Sequence, residues 1–282
     1  MRRVVTKLRQ LKDNVLRGLL WLSVFLSVAV LVMIVGFIFI KGMNLISFEF
    51  IFGDYSPTGG GGIWPMIVTT IYTIVISLVI ATPIGILAAL YLQEYAKQGR
   101  LVKVIRFATE SLTGIPSIIY GLFGAVFFVT TLKMGMSIIA ASLTLTIIVL
   151  PVIIRTTEEA LKTVPQSYRE GSLALGTTKL QTLYKVILPS AMPGILSGII
   201  LSIGRIVGES AAIFLTAGTV AALPESLFSS ARTLTVHSYL VTQESGDIEL
   251  AAAVGIVLIV IILGINISAT LISKKLNKAT DK

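Results

Sequence analysis

Two charges, Arg205 and Glu209, stand in the segment GRIVGES, within a run that otherwise stays apolar to Leu215. A charge in hydrocarbon costs at least a few kcal/mol, so such residues face a cavity, another charge or a substrate path. Spaced four apart, the two share one face of a continuous helix. Two readings follow: they neutralise each other, or Arg205 faces a substrate path. The second stretch with chemistry to offer is EGSLALGTTKLQTLYKVILP, residues 170–189. Arg169, Glu170, Lys179 and Lys185 keep it in water, while Leu173, Leu175, Leu180 and Leu183 give it apolar surface. The pattern predicts two short amphipathic helices meeting at Gly176, with Pro189 in the first turn of the helix that follows. A docking element between membrane spans has this shape, and so does an ordinary interfacial helix.

Catalysis finds no comparable set. There is no GxxxxGKS/T phosphate loop, no HExxH and no GxSxG; Gly208-Glu209-Ser210-Ala211-Ala212 lacks the final glycine. Cysteine is absent, and the one histidine, His237, builds no zinc site alone and reads as a surface residue. Neither a metal nor a cofactor is expected, and the chain is not expected to be an enzyme.

The elements that position these residues are membrane spans. Of 282 residues, 55% are hydrophobic and 13% charged, with a mean hydropathy of +0.92. That is about half the charge of a soluble domain, and it predicts an all-α integral membrane protein. Six stretches reach the roughly 20 residues that cross a bilayer: Leu19–Ile40, Trp64–Leu92, Ser111–Leu132, Met134–Ile154, one beginning near Val186, and Leu250–Ser273. The net charge of +9 sits at the ends of these runs, as bilayer orientation produces and nucleic-acid binding does not. Residues 1–18 then form an N-terminal segment, 19–273 one transmembrane domain with a loop over 155–189, and 274–282 a tail.

With the N-terminus inside, the inner segments hold nineteen Lys and Arg and the outer ones three, Lys41, Lys133 and Arg232. This bias predicts cytoplasmic termini and a cytoplasmic 155–185 segment. On the outer side, Gly59–Gly62 reads as a flexible tip. The longer outer segment 217–247 has Leu223, Leu227, Ala231 and Leu234 at helical spacing.

The series Glu170, Gly176, Val186 and Leu188-Pro189 resembles the EAA loop of bacterial ABC importer permeases. Gly171 and Ser172 stand where that loop has two alanines, and Val186 replaces its isoleucine. GGGGIWP, AALYLQEYA, TGIPSIIYGLF and GRIVGES are similar to segments of the PstA-type permeases of phosphate importers, and the likeness runs from about Gly59 to the last span. The resemblance implies a type I importer permease (MetI-like) fold of six transmembrane helices in the inner, plasma membrane of a bacterium. It also implies a heterodimer with a second permease, two cytoplasmic ATPase subunits and an extracytoplasmic phosphate-binding protein. Glu170, Gly171, Ser172, Gly176, Leu188 and Pro189 would couple to the ATPase, and Arg205 and Glu209 would lie on the phosphate path. A permease for sulfate or molybdate is the alternative within the class. A stand-alone secondary transporter or channel is the alternative outside it, though such a protein needs no docking loop and often shows an internal repeat, which is not found here.

The charge bias is open to direct test, since cysteines introduced into a cysteine-free chain report sidedness. A membrane-impermeant thiol reagent should label Ser245→Cys in intact cells and spare Thr178→Cys. Labelling of the latter from outside overturns the orientation.

Overall fold

The computed structural model describes residues 2–56 and 61–280, with side chains over 12–56 and 61–271, and every regular element among them is helical. Helix α1 (Arg2–Gly42) carries the first apolar run, and α2 (Phe48–Phe52) is a short helix capped by Ser47. Helix α3 (Trp64–Leu90) follows, then α4 (Arg100–Thr113), α5 (Ser117–Gly124) and α6 (Ile138–Thr163). The loop helices α7 (Gln166–Ala174) and α8 (Lys179–Thr182) lead into α9 (Leu188–Gly208). The chain ends with α10 (Ala211–Ala217), α11 (Leu234–Glu244) and α12 (Ile248–Thr280). Five helical stretches are long and apolar enough to cross a membrane, and α4 with α5 makes a sixth if that pair, bent by 99°, counts as one span.

Helix α6 lies at the centre, packed on α3, α9, α10 and α5. Its contact with α3 is lined by buried hydroxyl residues, among them Ser77, Ser142 and Thr146, and Thr144 faces Gly124 of α5. With no water in hydrocarbon, most of these hydroxyls turn to backbone carbonyls, though the Ser142 hydroxyl has no partner among the described residues. Thr144 Oγ1 donates to Ala140 O at 2.8 Å, and Ser77 Oγ crosses to Ser142 O at 3.1 Å. Apolar clusters close the two ends. Leu90, Leu161, Val164, Leu183 and Ile187 gather at the end rich in Arg and Lys, here called the basic end. Phe50, Ile63, Met66, Leu234 and Val254 gather at the opposite end. Helix α1 stands apart. Its apolar window is unburied, and it meets α12, where Gly42 backs onto the Ala252–Ala253 backbone.

Several boundaries depart from the sequence expectation, each for a physical reason. The third span was expected from Ser111, but α4 ends at Thr113 and α5 starts at Ser117. Pro116 disfavours helical angles at Ile115, so the chain turns there. The fourth span was expected to end at Ile154, yet α6 runs to Thr163. Its charged turns are satisfied by Arg155–Glu159 at 3.2 Å and Arg106–Glu158 at 3.0 Å. The fifth was expected near Val186, yet a continuous helical stretch begins at Lys179. Pro189 is the second residue of α9, in its first turn as expected, but α9 continues directly from the helical turn before it. The π-helical turn Leu183–Ile187 just before it widens the ladder where the proline ring would clash.

The opposite end holds two further corrections. Residues 218–233 are not helical: Gly218 takes φ +87°, and the segment is held by Arg232 N to Val220 O at 3.0 Å and Ala231 N to Ala217 O at 3.1 Å. Of the four residues expected on one face there, Ala231 and Leu234 are buried while Leu223 and Leu227 are exposed. Gly59 and Gly60 lie outside the described residues. Gly61 and Gly62 are no loose tip, because a Cβ on either would strike the Gly53–Ser56 backbone.

Glycine also sets how closely α5 approaches α10. A Cβ at Gly121 would fall 2.7 Å from Ala212 Cα, a backbone atom that cannot rotate away, whereas one at Gly171 meets nothing within 4 Å. Gly121→Val should therefore cost about 1–3 kcal/mol through overpacking. Gly171→Ala should be neutral or gain up to about 1 kcal/mol by helix propensity. Melting temperatures of the detergent-purified chain check this, and equal values for the two variants contradict the close approach.

Candidate functional site

The loop at the basic end is stiffer than two helices on a glycine hinge. Pro165 precedes α7, and Gly176 ends the turn after it with φ +83°, in the left-handed region that favours glycine. Thr178 then starts α8 in a capping box: its Oγ1 accepts from Gln181 N at 3.2 Å, and Gln181 Oε1 accepts from Thr178 N at 3.0 Å. Ser172, Thr177 and Thr182 close a triangle of hydroxyls, with O–O distances of 2.8, 2.9 and 3.0 Å. Ser172 thus braces the two halves of the loop, a role that alanine could not fill. Leu188 and Pro189, half-buried, continue into α9.

The loop's outer face is unusual for a charged segment. Leu173, Leu180 and Tyr184 are about half exposed, and Leu175 is 86% exposed beside the Gly176 turn. Glu170 and Gly171 lie on the same exposed helix, and Glu170 has no ion pair among the described residues. A rigid platform offering leucines and one unpaired carboxylate can dock a protein surface.

Arg205 and Glu209 are not the helix pair that their spacing suggested. Helix α9 ends at Gly208, and Glu209 is extended (φ −80°, ψ 125°). Its buried side chain turns to α10, where Oε1 accepts from Ala212 N at 3.2 Å. No ion pair joins it to Arg205 among the described residues. Arg205, half-buried in the last turn of α9, sits where a cation complements the helix dipole. It lies within electrostatic reach of Tyr120, whose hydroxyl donates to Leu112 O at 2.7 Å, across the bend between α4 and α5. Leu201, Gly204 and Gly208 expose the neighbouring face of α9. The segment TGIPSIIYGLF and the segment GRIVGES therefore meet in space, near the Arg205 guanidinium.

Residues 81–278 match the family described as binding-protein-dependent transport system inner membrane component. The chain belongs to that family. It is 35% identical to the probable ABC transporter permease protein YqgI of Bacillus subtilis, over 95% of this chain and 98% of that one. It is 30% identical to the phosphate transport system permease protein PstA of Mycobacterium leprae, over 94% and 90%. For the protein of the same name from Pasteurella multocida the identity is 38%, over 74% and 75%. Among solved structures, the bacterial alginate ABC transporter superposes with a TM-score of 0.65 at 17% identity, over 95% of each chain. The MetNI methionine ABC transporter gives 0.59 at 21%, over 76% of this chain and 94% of that one. These likenesses establish the MetI-like type I importer permease fold.

This inner membrane component carries one more polar centre, at the opposite end, that the sequence did not disclose. His237 is buried, not on the surface as expected: its ring meets Tyr55 edge-on at 5.7 Å and its Nδ1 faces Arg232 NH1 at 3.3 Å. Arg232 also lies 5.0 Å from the Tyr55 ring centroid. Together they floor a cavity of about 510 Å³ whose other titratable lining groups are Glu49, Glu244 and Asp247. No local pattern marks His237, because its cover comes from Tyr55, far back along the chain. The loop's own braces had a faint signal, a carboxylate in AALYLQEYA directly after an apolar run.

Burial, and then the Arg232 charge, lower the His237 pKa to about 4. Above pH 6.5 the ring is neutral folded or unfolded, so it adds no pH dependence. Below 6.5 the unfolded chain takes up a proton that the folded chain refuses until about pH 4, and stability falls across that window. The loss attributable to this group reaches on the order of 3 kcal/mol by pH 4. His237→Gln removes it, so the melting temperatures of wild type and variant should converge as pH falls from 7 to 4.5. A constant difference would show that His237 titrates normally.

Proposed function

We propose that this chain is a transmembrane permease subunit of an ATP-driven phosphate importer. It forms the path with a second, similar permease, receives phosphate from an extracytoplasmic binding protein, and is driven by two cytoplasmic ATPase subunits. The observation that carries the reading is the docking platform of residues 166–182: exposed leucines and an unpaired Glu170 on a braced loop, in a chain with no phosphate loop of its own. Relatives named as phosphate permeases, matched over most of the chain, supply the substrate.

The charge bias puts the platform and both termini on the cytoplasmic side, where ATP is. Glu170, Gly171, Ser172, Gly176, Leu188 and Pro189 then belong to the coupling surface and its rigid connection to α9. ATP-driven closure of the ATPases pushes on the platform and biases the bundle between two arrangements. Arg205 is the anion's contact on the path. Phosphate is strongly hydrated, and a guanidinium at the bare end of a helix replaces part of that hydration. Glu209 is turned away in the arrangement described here, which leaves Arg205 open to the anion.

Reconstitution tests both halves. The purified complex in proteoliposomes should take up labelled phosphate only with ATP, and excess sulfate or molybdate should not compete. Arg205→Lys should lower uptake per complex and Arg205→Gln should lower it by about a hundredfold or more, a charge-assisted pair being worth roughly 3 kcal/mol. Neither should disturb assembly. Near-normal uptake by Arg205→Gln removes Arg205 from the path, and competition by sulfate changes the substrate.

A further inference from the structure

The second span ends in a π-helical turn, Tyr91–Tyr95, within the segment AALYLQEYA. Two adjacent side chains of this turn reach different neighbours. Gln93 Oε1 accepts from Arg106 NH2 at 3.3 Å, and Arg106 in turn reaches Glu158 of α6 at 3.0 Å and Gln98 at 3.2 Å. Glu94 faces the docking loop: Oε1 accepts from Arg169 NH2 at 2.7 Å and from Arg169 Nε at 3.3 Å. Two further Arg169 donors are committed to backbone. NH1 reaches Val164 O at 2.9 Å, and NH2 also reaches Leu161 O at 3.1 Å. From the loop's other half, Lys179 Nζ donates to the Glu94 carbonyl and lies 4.8 Å from the Tyr95 ring centroid.

Glu94 therefore holds both arms of the loop, Arg169 directly before Glu170 and Lys179 at the start of α8, with the Gly176 turn between them. The ion pair is largely buried, its side chains 13% and 17% exposed. Water competes weakly for such a pair, and removing one partner strands the other charge. Arg169 joins the ends of α3, α6 and α7 through a single guanidinium. A load on Glu170 then passes into the second span, because the loop has no freedom to bend at Gly176 while both arms are tied to Glu94.

We propose that Glu94 and Arg169 are positioning residues that make the loop and the second span move as one body, so that ATPase closure reaches the path. This rests on the reading of the loop as the ATPase-docking platform.

The test uses the whole complex in proteoliposomes, measuring labelled phosphate uptake, ATP hydrolysis and retention of the ATPase subunits. Glu94→Ala and Arg169→Lys should each lower uptake per complex by about tenfold, within the span of typical coupling energies. The ATPases should stay bound, with hydrolysis no longer raised by phosphate-loaded binding protein. The double variant Glu94→Cys/Arg169→Cys should be equally uncoupled, and a short bis-thiol crosslinker joining the two cysteines should restore uptake. A merely structural role would not make hydrolysis insensitive to the binding protein, nor be repaired by a tether. Normal uptake in Glu94→Ala overturns the proposal. So does a crosslinked complex that assembles and stays uncoupled, or loss of the ATPases that the tether fails to reverse. A wild-type complex that retains no ATPase overturns the docking reading itself, and this inference with it.

Discussion

Hydrocarbon offers a backbone amide or carbonyl nothing to bond to, and the rest of the structure follows from that constraint. At the α3–α6 contact the Ser77 and Thr146 hydroxyls bond to carbonyls of their own or the facing helix rather than to water. Where proline breaks the ladder, the local geometry changes to match. Before Pro189 the helix widens into a π turn, with Leu188 N reaching back to Leu183 O. At Pro116 the chain bends instead, and the Leu112 carbonyl near the bend is taken by the Tyr120 hydroxyl. Each irregularity sits beside a segment in the proposed function: the loop before Pro189, and the Arg205 neighbourhood at the bend.

Charge obeys the same constraint and divides the molecule by depth. At the basic end, Arg106, Arg155 and Arg169 are each paired with carboxylates, and two of these pairs are substantially buried. Such pairs add little stability for their desolvation cost, but they fix how elements sit on one another. Deeper in the bundle the pattern reverses. Arg205 has no carboxylate partner among the described residues and sits in the last turn of its own helix. An unpaired cation there is expensive as structure, and that cost is what supports the proposed anion contact.

Much of this was readable from the residues, and the failures have definite causes. The apolar runs announce the spans, since a bilayer selects on length and hydropathy alone. Their ends are another matter: α6 outruns its apolar run by two turns because Glu158 and Glu159 have arginine partners, one of them 52 residues away in sequence. The glycine bend at Gly176 was legible because positive φ leaves a residue-type signature. Segment 218–233 misled because leucines at helical spacing can also close a coil, with Ala231 and Leu234 inward and Leu223 and Leu227 outward. His237 was opaque, since burial by Tyr55 and Arg232 is a property of the fold.

The i, i+4 spacing of Arg205 and Glu209 shows best how a correct local rule yields a wrong contact. The rule presumes that the helix continues, and Gly208 is where it stops. Beyond it Glu209 serves α10, accepting from Ala212 N in the first turn, where a carboxylate offsets the exposed amides. The two charges thus hold opposite ends of two helix dipoles, Arg205 at a C-terminus and Glu209 at an N-terminus, rather than each other. The break in the helix is a place where a motion of α9 changes what Arg205 faces, and α3, which carries the Glu94 turn at its end, packs on both α6 and α9.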